Sequence, residues 1–321
     1  MSGQAYTLAI ATCEEMHGPT VSLRGSEVSC TPMKVTILTI IAMLAFAANS
    51  VLARLALSGG GIDPLSYTGM RLVSGAAVLA VLVFFRRQRG AGKGMGSWSG
   101  AVALLLYAVA FSIAYVMVGA GPGALILFAS VQMGMLAWAV FKGERPGLLE
   151  WLGITIAFFA LAYLVSPGLV APSLSGAVLM VVAGLSWAAY SLLGKGSLSP
   201  LADTAGNFIR CLPVGILLIV IGMLVFKPNM AGVVYAVASG AIASGLGYTI
   251  WYSVLPQLSR SRAALVQLTV PSITAFGGVV FINEVLTARL VIATIGVVGG
   301  VALAIMAARH GKTKVAPEGS H

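Results

Sequence analysis

The stretch AMLAFAANSVLAR, Ala42 to Arg54, is written a second time in this chain as AGLSWAAYSLLGK, Ala183 to Lys195. Alanine, leucine and serine recur at the same offsets: Ala42/Ala183, Leu44/Leu185, Ala47/Ala188, Ala48/Ala189, Ser50/Ser191 and Leu52/Leu193. Phe46 is answered by Trp187, and the closing Arg54 by Lys195. An Ala/Leu-rich composition produces chance matches, so one pair alone proves little. A second pair decides the matter. Phe141-Lys142-Gly143-Glu144 is echoed by Phe281-Ile282-Asn283-Glu284 at nearly the same displacement, so the chain reads as an internal duplication.

Composition sets the solvent. With 59% hydrophobic and 9% charged residues, the chain is far from a water-soluble domain, whose charged fraction is about a quarter. The net charge of +10 does not read as a nucleic-acid surface. The basic residues lie between apolar runs and not along one face, a pattern that belongs to membrane orientation. Cys13, Cys30 and Cys211 are scattered, with no spacing for a disulfide framework or a metal site.

Ten apolar segments follow a polar start, at 35–57, 66–85, 98–118, 122–141, 149–165, 173–194, 205–226, 231–253, 262–281 and 287–308. Each has the length of a spanning helix, and Gly/Pro clusters separate them. Residues 1–32 carry charges and prolines without the long apolar core of a signal peptide. They read as a poorly ordered extension, with Met33-Lys34 as a candidate true start. The expected organisation is a first five-helix repeat over 33–165, a linker at 166–173, a second repeat over 174–308 and a basic tail at 309–321.

Five spans per half is an odd number, so the second half enters the membrane upside down relative to the first. The charges agree. With a cytoplasmic N-terminus, the inner side receives Arg24, Lys34, Arg86, Arg87, Arg89, Lys93, Lys142, Arg145, Lys195, Arg260, Arg262, Arg309, Lys312 and Lys314. The outer side receives only Arg54, Lys227 and Arg289, a strong positive-inside bias. The loop after span 2 is arginine-rich while its counterpart after span 7 has only Lys227; the loop after span 3 has no charge while its counterpart after span 8 has Arg260 and Arg262. That exchange is what an inverted repeat requires. The expected fold is an all-α integral membrane protein of ten transmembrane helices in two inverted five-helix repeats, in the cell inner membrane, with both termini cytoplasmic.

Over about residues 33–308 the chain resembles the EamA family of the drug/metabolite transporter superfamily. The resemblance rests on Phe46 and Trp187 in the first span of each half, Arg71 and Arg210 in the second, and Glu144 and Glu284 after the fourth. The family usually has a proline in that fourth span; Pro271 supplies it in the second half, while Val131 stands in its place in the first. The resemblance implies ten helices around a central substrate cavity, and export of small metabolites.

The residues also speak without the family. Phe46, Asn49, Ser50 and Ala53 share one helical face by their spacing, and Trp187, Tyr190 and Ser191 form the matching face in the other half. Asn and Tyr at mid-membrane need partners. Two readings stand: polar glue between helices, or the lining of a wet cavity. Recurrence in both halves favours the cavity. Tyr107, Phe111 and Tyr115 step by four in span 3, and Tyr248, Trp251 and Tyr252 cluster in span 8. Such stripes serve packing as well as ligand walls. Gln132 and Gln267 sit in apolar surroundings, the latter on a face with Pro271 and Thr274. The candidate cavity residues are therefore Phe46, Asn49, Ser50, Tyr115, Gln132, Trp187, Tyr190, Ser191, Tyr248, Trp251 and Gln267.

Gly143 and Asn283 favour the left-handed geometry that closes a helix, and a glutamate after each would stand at the start of the next helix, where the dipole favours an anion. A second role follows from topology. Glu144 with Arg210 at the inner face, and Glu284 with Arg71 at the outer, would join opposite halves and latch the two ends of a cavity. No Asp, Glu or His lies deep in a span, the histidines being His17, His310 and His321. Proton coupling, intramembrane hydrolysis, a metal and a cofactor therefore have no visible carrier, and nothing points to an enzyme. Arg71 and Arg210 lie near span ends and can snorkel, so no deep cation stands ready for a phosphorylated substrate. The pattern favours a neutral, zwitterionic or amphipathic small molecule such as an amino acid, exported by alternating access. Multidrug efflux and a non-transporting membrane scaffold are the rivals. The expected partners are that small molecule and the lipid bilayer, without nucleic acid. Gly296-x-x-x-Gly300, Gly240-x-x-x-Ser244 and Ala241-x-x-x-Gly245 suit helix packing within a monomer or the seam of a homodimer.

Overall fold

The computed structural model describes residues 32–85, 95–143, 146–166, 172–194, 197, 199–258, 263 and 266–313. Met1–Lys34 and Val35–His321 are two separate units; of the first, only the helical start at 32–34 is described. The described residues are helical and contain no strand. The helices are α1 (Pro32–Ser58), α2 (Pro64–Phe85), α3 (Trp98–Met117), α4 (Ala120–Phe141), α5 (Leu148–Val165), α6 (Leu174–Gly194), α7 (Pro200–Val225), α8 (Met230–Ala238), α9 (Gly247–Val254), α10 (Thr269–Ile282) and α11 (Ala288–Thr313). A π-helical segment, Ser239–Leu246, joins α8 to α9.

Nine helical stretches among the described residues are long and apolar enough to cross a membrane, with Met230–Gln257 counted as one and Thr269–Ile282 as a shorter apolar helix. They are apolar on all sides, because one side packs on neighbours and the other has hydrocarbon as its solvent. Ile40, Leu44, Phe84, Phe159, Leu224, Phe276 and Ile295 are accordingly exposed on the outside. In such a setting the helix satisfies the backbone's hydrogen bonds within its own span.

Two spans differ from the uniform helices expected. The stretch expected at 262–281 is interrupted at Leu268, and the continuous helix α10 begins at Thr269, with Pro271 in its first turn. Proline has no N–H for the carbonyl four residues earlier, that of Gln267, and its ring crowds that position. By contrast α4 runs unbroken through Val131, so the half without the proline has no interruption there. The stretch 231–253 is not one α-helix either. Its middle, Ser-Gly-Ala-Ile-Ala-Ser-Gly-Leu, widens into π geometry where it lies on α2. A side chain on Gly240 would collide with the Arg71 carbonyl and Ser74 Oγ.

The helices pair across the two halves. α2 packs on α7, α5 on α11, α4 on α10 and α6, α3 on α6, and the π segment on α2. One continuous core of buried residues runs between them, including Phe46, Tyr67, Phe111, Tyr115, Trp187, Phe208, Tyr248 and Trp251. Gly296-x-x-x-Gly300 is taken up inside this chain by α5: a Cβ on Gly300 would lie 2.6 Å from the Gly153 carbonyl oxygen and 2.7 Å from the Ala157 nitrogen. One on Gly296 would lie 2.5 Å from Ala160 Cβ. The other two small-residue motifs fall in the π segment against α2.

Overpacking such a contact costs about 1–3 kcal/mol. Gly300→Val is expected to lower resistance to denaturation in detergent by that order, and Gly299→Ala, whose added methyl meets nothing within 4 Å, to leave it unchanged. Thermal unfolding of the two purified variants checks this.

Candidate functional site

The centre of the bundle is aromatic and nearly closed. A cavity of about 10 Å³ is lined by Phe46, Asn49, Ser50, Tyr107, Phe111, Leu127, Phe128, Trp187 and Tyr248. That is room for about one water. The rings meet largely edge to face: Phe46 lies 6.0 Å from Trp187 and 5.8 Å from both Tyr248 and Trp251, between ring centroids. Tyr107 lies 5.0 Å from Trp187, and Trp187 4.7 Å from Tyr248. Each half contributes both a first-span aromatic and a third-span tyrosine to one cluster.

Directly behind this wall lies Arg71, 2% exposed. Its Nε donates to Ser244 Oγ at 3.1 Å, and its Nη2 to Tyr107 Oη at 3.1 Å and Tyr248 Oη at 2.9 Å. The guanidinium carbon sits 5.1 Å and 4.8 Å from the ring centres of Tyr107 and Phe111, a cation–π arrangement. Asn49 Nδ2 donates to Tyr107 Oη at 3.2 Å, and Ser239 Oγ donates to Asn49 Oδ1 at 2.6 Å. Asn49 thus ties α1, α3 and the π segment together and also borders this small cavity. Arg71 Nη1 is buried without a hydrogen-bond partner.

At one end of α3 the bundle opens into a second cavity of about 160 Å³, lined among others by Ser97, Gly100, Tyr190, Gly194, Asp203, Thr204, Asn207 and Tyr252. Tyr190 and Tyr252, 6.1 Å apart, stand one helical turn beyond Trp187 and Tyr248 and separate this vestibule from the centre. Its mouth is rigid. Gly96 N donates to Asp203 Oδ1 at 3.0 Å and Ser97 N to Asn207 Oδ1 at 2.8 Å, while Ser197 Oγ donates to Asp203 Oδ2. Gly96 has φ +70°, a conformation glycine takes without strain. Asn207 Nδ2 reaches Tyr190 Oη at 3.4 Å.

At the other end of α3 a carboxylate closes the bundle. Both oxygens of Glu284 accept from Ala120 N, at 3.0 and 2.8 Å, and Oε1 accepts from Arg54 Nε at 3.0 Å. Arg54 Nη1 donates to the Tyr115 carbonyl at 3.0 Å. The anion therefore lies on the N-terminus of α4, where free N–H groups and the helix dipole favour it, and the cation on the C-terminal turn of α3. Two glycines leave the space: a Cβ on Gly119 would stand 3.1 Å, and one on Gly278 3.0 Å, from Glu284 Oε2.

The expected residues divide accordingly. Phe46, Asn49, Ser50, Trp187 and Tyr248 line the centre and Tyr190 the vestibule. Trp251 and Tyr115 are buried behind it, touching Phe46 and Phe111; Gln132, Ser191 and Gln267 are buried but line neither cavity. Two expectations are overturned. Glu284 pairs with Arg54, not with Arg71. Arg71 does not snorkel to a span end: seven residues of helix after Pro64 carry it roughly 10 Å inward, so the span does hold a deep cation. The helix-end reading of the motif is right in its cap and wrong in its helix. Asn283 is left-handed with φ 55°, and Gly143 with φ 91°, yet Glu284 serves α4 and not the helix that follows it. Glu144 and Lys195 lie outside the described residues. Arg210 donates to the Met95 and Gly206 carbonyls and lies 5.7 Å over Trp98. The vestibule residues Asp203, Thr204 and Asn207 went unremarked in the sequence, where only an N-terminal helix turn marks them.

Long apolar helices around a polar and aromatic centre define a multi-pass membrane protein. The EamA-like transporter family matches twice, over residues 33–166 and 174–306, and the chain belongs to that family. An uncharacterized Pseudomonas aeruginosa protein, PA1977, is 49% identical over 276 residues, 86% of this chain and 96% of that one. An uncharacterized transporter of Archaeoglobus fulgidus is 26% identical over 270 residues, 78% of this chain and 90% of its own. The uncharacterized inner membrane transporter YedA of Escherichia coli is 28% identical over 149 residues, 44% of this chain and 48% of its own. A crystal structure with 21% identity superposes with a TM-score of 0.59 over 87% of this chain and 99% of that chain, a likeness of fold.

In a double-mutant cycle, Arg54→Ala and Glu284→Ala are expected to couple by about 0.5–3 kcal/mol in unfolding free energy, as contacting pairs do. Arg71→Ala and Glu284→Ala, which share no contact, are expected to add within about 0.5 kcal/mol.

Proposed function

We propose that this chain is a secondary transporter of the inner membrane that exports a small amphipathic metabolite by alternating access. In this reading its residues 33–308 form ten spans, two inverted five-helix repeats, with both termini cytoplasmic. The Arg54–Glu284 end then faces outward and the vestibule inward. The observation that carries the reading is the unequal closure of the two ends around one aromatic site. A carboxylate bonded to a helix N-terminus and an arginine shuts one end, while about 160 Å³ of space lined by both polar and apolar groups approaches the site from the other. A symmetric pore would open at both ends and a scaffold would need neither opening.

The chemistry of transport follows from this arrangement. Substrate enters the vestibule past Asp203 and Asn207, and parting of Tyr190 from Tyr252 admits it to the centre, where Phe46, Trp187, Tyr107 and Tyr248 enclose its apolar part. Rocking of the halves then breaks the Arg54–Glu284–Ala120 contact and opens the outer end. In the sequence repeat Arg54 corresponds to Lys195 and Glu284 to Glu144, so in this reading the inner end carries the same two charge types, again one from each half. The name of the Escherichia coli relative, an inner membrane transporter, supports the location, and the positive-inside bias supports the orientation.

Counterflow in proteoliposomes tests the proposal. A panel of amino acids, aromatic carboxylates, nucleosides, sugars and cationic dyes is expected to contain at least one compound carried saturably, with Trp187→Ala reducing that flux about tenfold or more. Absence of saturable flux for the whole panel contradicts transport and favours a scaffold.

A further inference from the structure

The central site carries more donors than acceptors. Tyr107 Oη has two lone pairs, which Arg71 Nη2 and Asn49 Nδ2 use. It shares one further bond with Tyr248 Oη at 3.3 Å, and that bond takes only one of the two hydroxyl hydrogens. Both hydrogens of Arg71 Nη1 are buried and without a partner. The one amide oxygen in the cluster, Asn49 Oδ1, is taken by Ser239. Arginine stays charged in any protein setting, and no carboxylate lines the cavity. Glu284 is held by Arg54 and Ala120, and Asp203 lies in the vestibule. Ring faces and hydroxyl oxygens soften the cost of this charge without cancelling it.

From this imbalance we infer that the transported molecule is a carboxylate with an aromatic or apolar tail, its carboxylate received by Arg71 and the paired hydroxyls of Tyr107 and Tyr248. This rests on the transport reading above and gives it a substrate class. A carboxylate has only acceptors, at least four lone-pair directions, and meets the surplus of donors on Arg71 and this hydroxyl pair. Arginine's planar fork matches its geometry. The tail is received by Phe46, Trp187 and Tyr248. A primary amine finds ring faces here but no counter-charge, and a neutral amide brings two further donors to a place already short of acceptors. The site therefore selects by charge, and the same counting disfavours cationic drugs as the principal cargo.

The two second-span arginines make the point by their difference. Arg71 and Arg210 hold equivalent places in the sequence repeat, yet Arg210 spends its Nη1 hydrogens on the Met95 and Gly206 carbonyls. Only Arg71 keeps a nitrogen unpartnered in the interior. An arginine kept for packing alone would be expected to resemble its counterpart and take backbone carbonyls.

Three probes of one shape decide the matter: 3-phenylpropionate, 3-phenylpropanamide and 3-phenylpropylamine, an anion, a neutral and a cation. Binding to the purified full chain is read by isothermal titration calorimetry, and flux by counterflow in proteoliposomes. The carboxylate is expected to bind at least tenfold more tightly than the amide or amine. Arg71→Gln is expected to abolish that preference, Arg71→Lys to retain part of it, and Tyr107→Phe to weaken the carboxylate several-fold with little effect on the amide. If Arg71→Gln does not fold, the wild-type ranking and Tyr107→Phe carry the test. Equal or tighter binding of the amide or amine overturns the inference, as does an unchanged ranking in folded Arg71→Gln. Failure of all three, repeated with longer and shorter tails, overturns it too. Flux of the amide or amine without preference for the carboxylate leaves the carrier standing and removes the anion site. Tight carboxylate binding without flux of any compound does the reverse.

Discussion

One carboxylate holds the shut end of this protein together. Glu284 is bonded to the first N–H of α4 and to the guanidinium of Arg54, and so joins the end of α10 to the start of α4 and the end of α1. Each participant needs the others. The α4 N-terminus has free N–H groups that hydrocarbon cannot satisfy. The α3 C-terminus has a free carbonyl, that of Tyr115, which Arg54 satisfies. A glutamate and an arginine at a membrane surface offset both deficits at once, and Gly119 and Gly278 leave the carboxylate its space. Contacts of this kind are discrete, made or broken, which is what a two-state closure requires.

The interior obeys the same accounting with a different outcome. At the shut end the Glu284 carboxylate is met by the Ala120 N–H and by Arg54. In the centre, Arg71, Asn49, Tyr107, Tyr248, Ser239 and Ser244 form a network whose donors exceed its acceptors. Placed behind a cavity with room for about one water, that excess is a standing demand for an anion and the basis of the substrate class inferred above. The π segment is part of the same construction. Its small residues let α2 come close enough for Arg71 to reach Ser244, and its widened turn presents Ser239 to Asn49. π segments recur at functional sites for this reason.

Much of the fold was legible because membrane physics is simple. Length, apolarity and breakers marked most of the helices to within a few residues, the spans expected at 205–226, 262–281 and 287–308 each missing one end by more, and the copied stretch brought together Phe46 and Trp187, which do meet. The cap at Asn283 was readable from residue type alone, because left-handed geometry is a local property. Its neighbour's partner was not. Whether Glu284 finds Arg54 or Arg71 depends on how α1, α4 and α10 converge, and sequence offsets carry no such information. Arg71 was misjudged for a related reason. Near the end of a span a long side chain can reach the surface or turn inward, and the choice was made by Tyr107, Tyr248 and Ser244 on other helices. Pro271 gave its interruption away by backbone chemistry, whereas the π segment could be suspected only from a run of glycine, alanine and serine.

The central claim is that the Glu284 contact closes one end of an alternating-access path. The most direct measurement is the rate at which a membrane-impermeant maleimide, added from the outer side of oriented membranes, reaches a cysteine placed at Ser50. With Arg54 and Glu284 intact, labelling is expected to be slow. With Glu284→Gln, which weakens the bonds to Ala120 and Arg54 while keeping side-chain volume, it is expected to accelerate at least fivefold. Labelling from the inner side should slow as the population shifts outward. Equal rates in the two proteins, from both sides, would contradict the account.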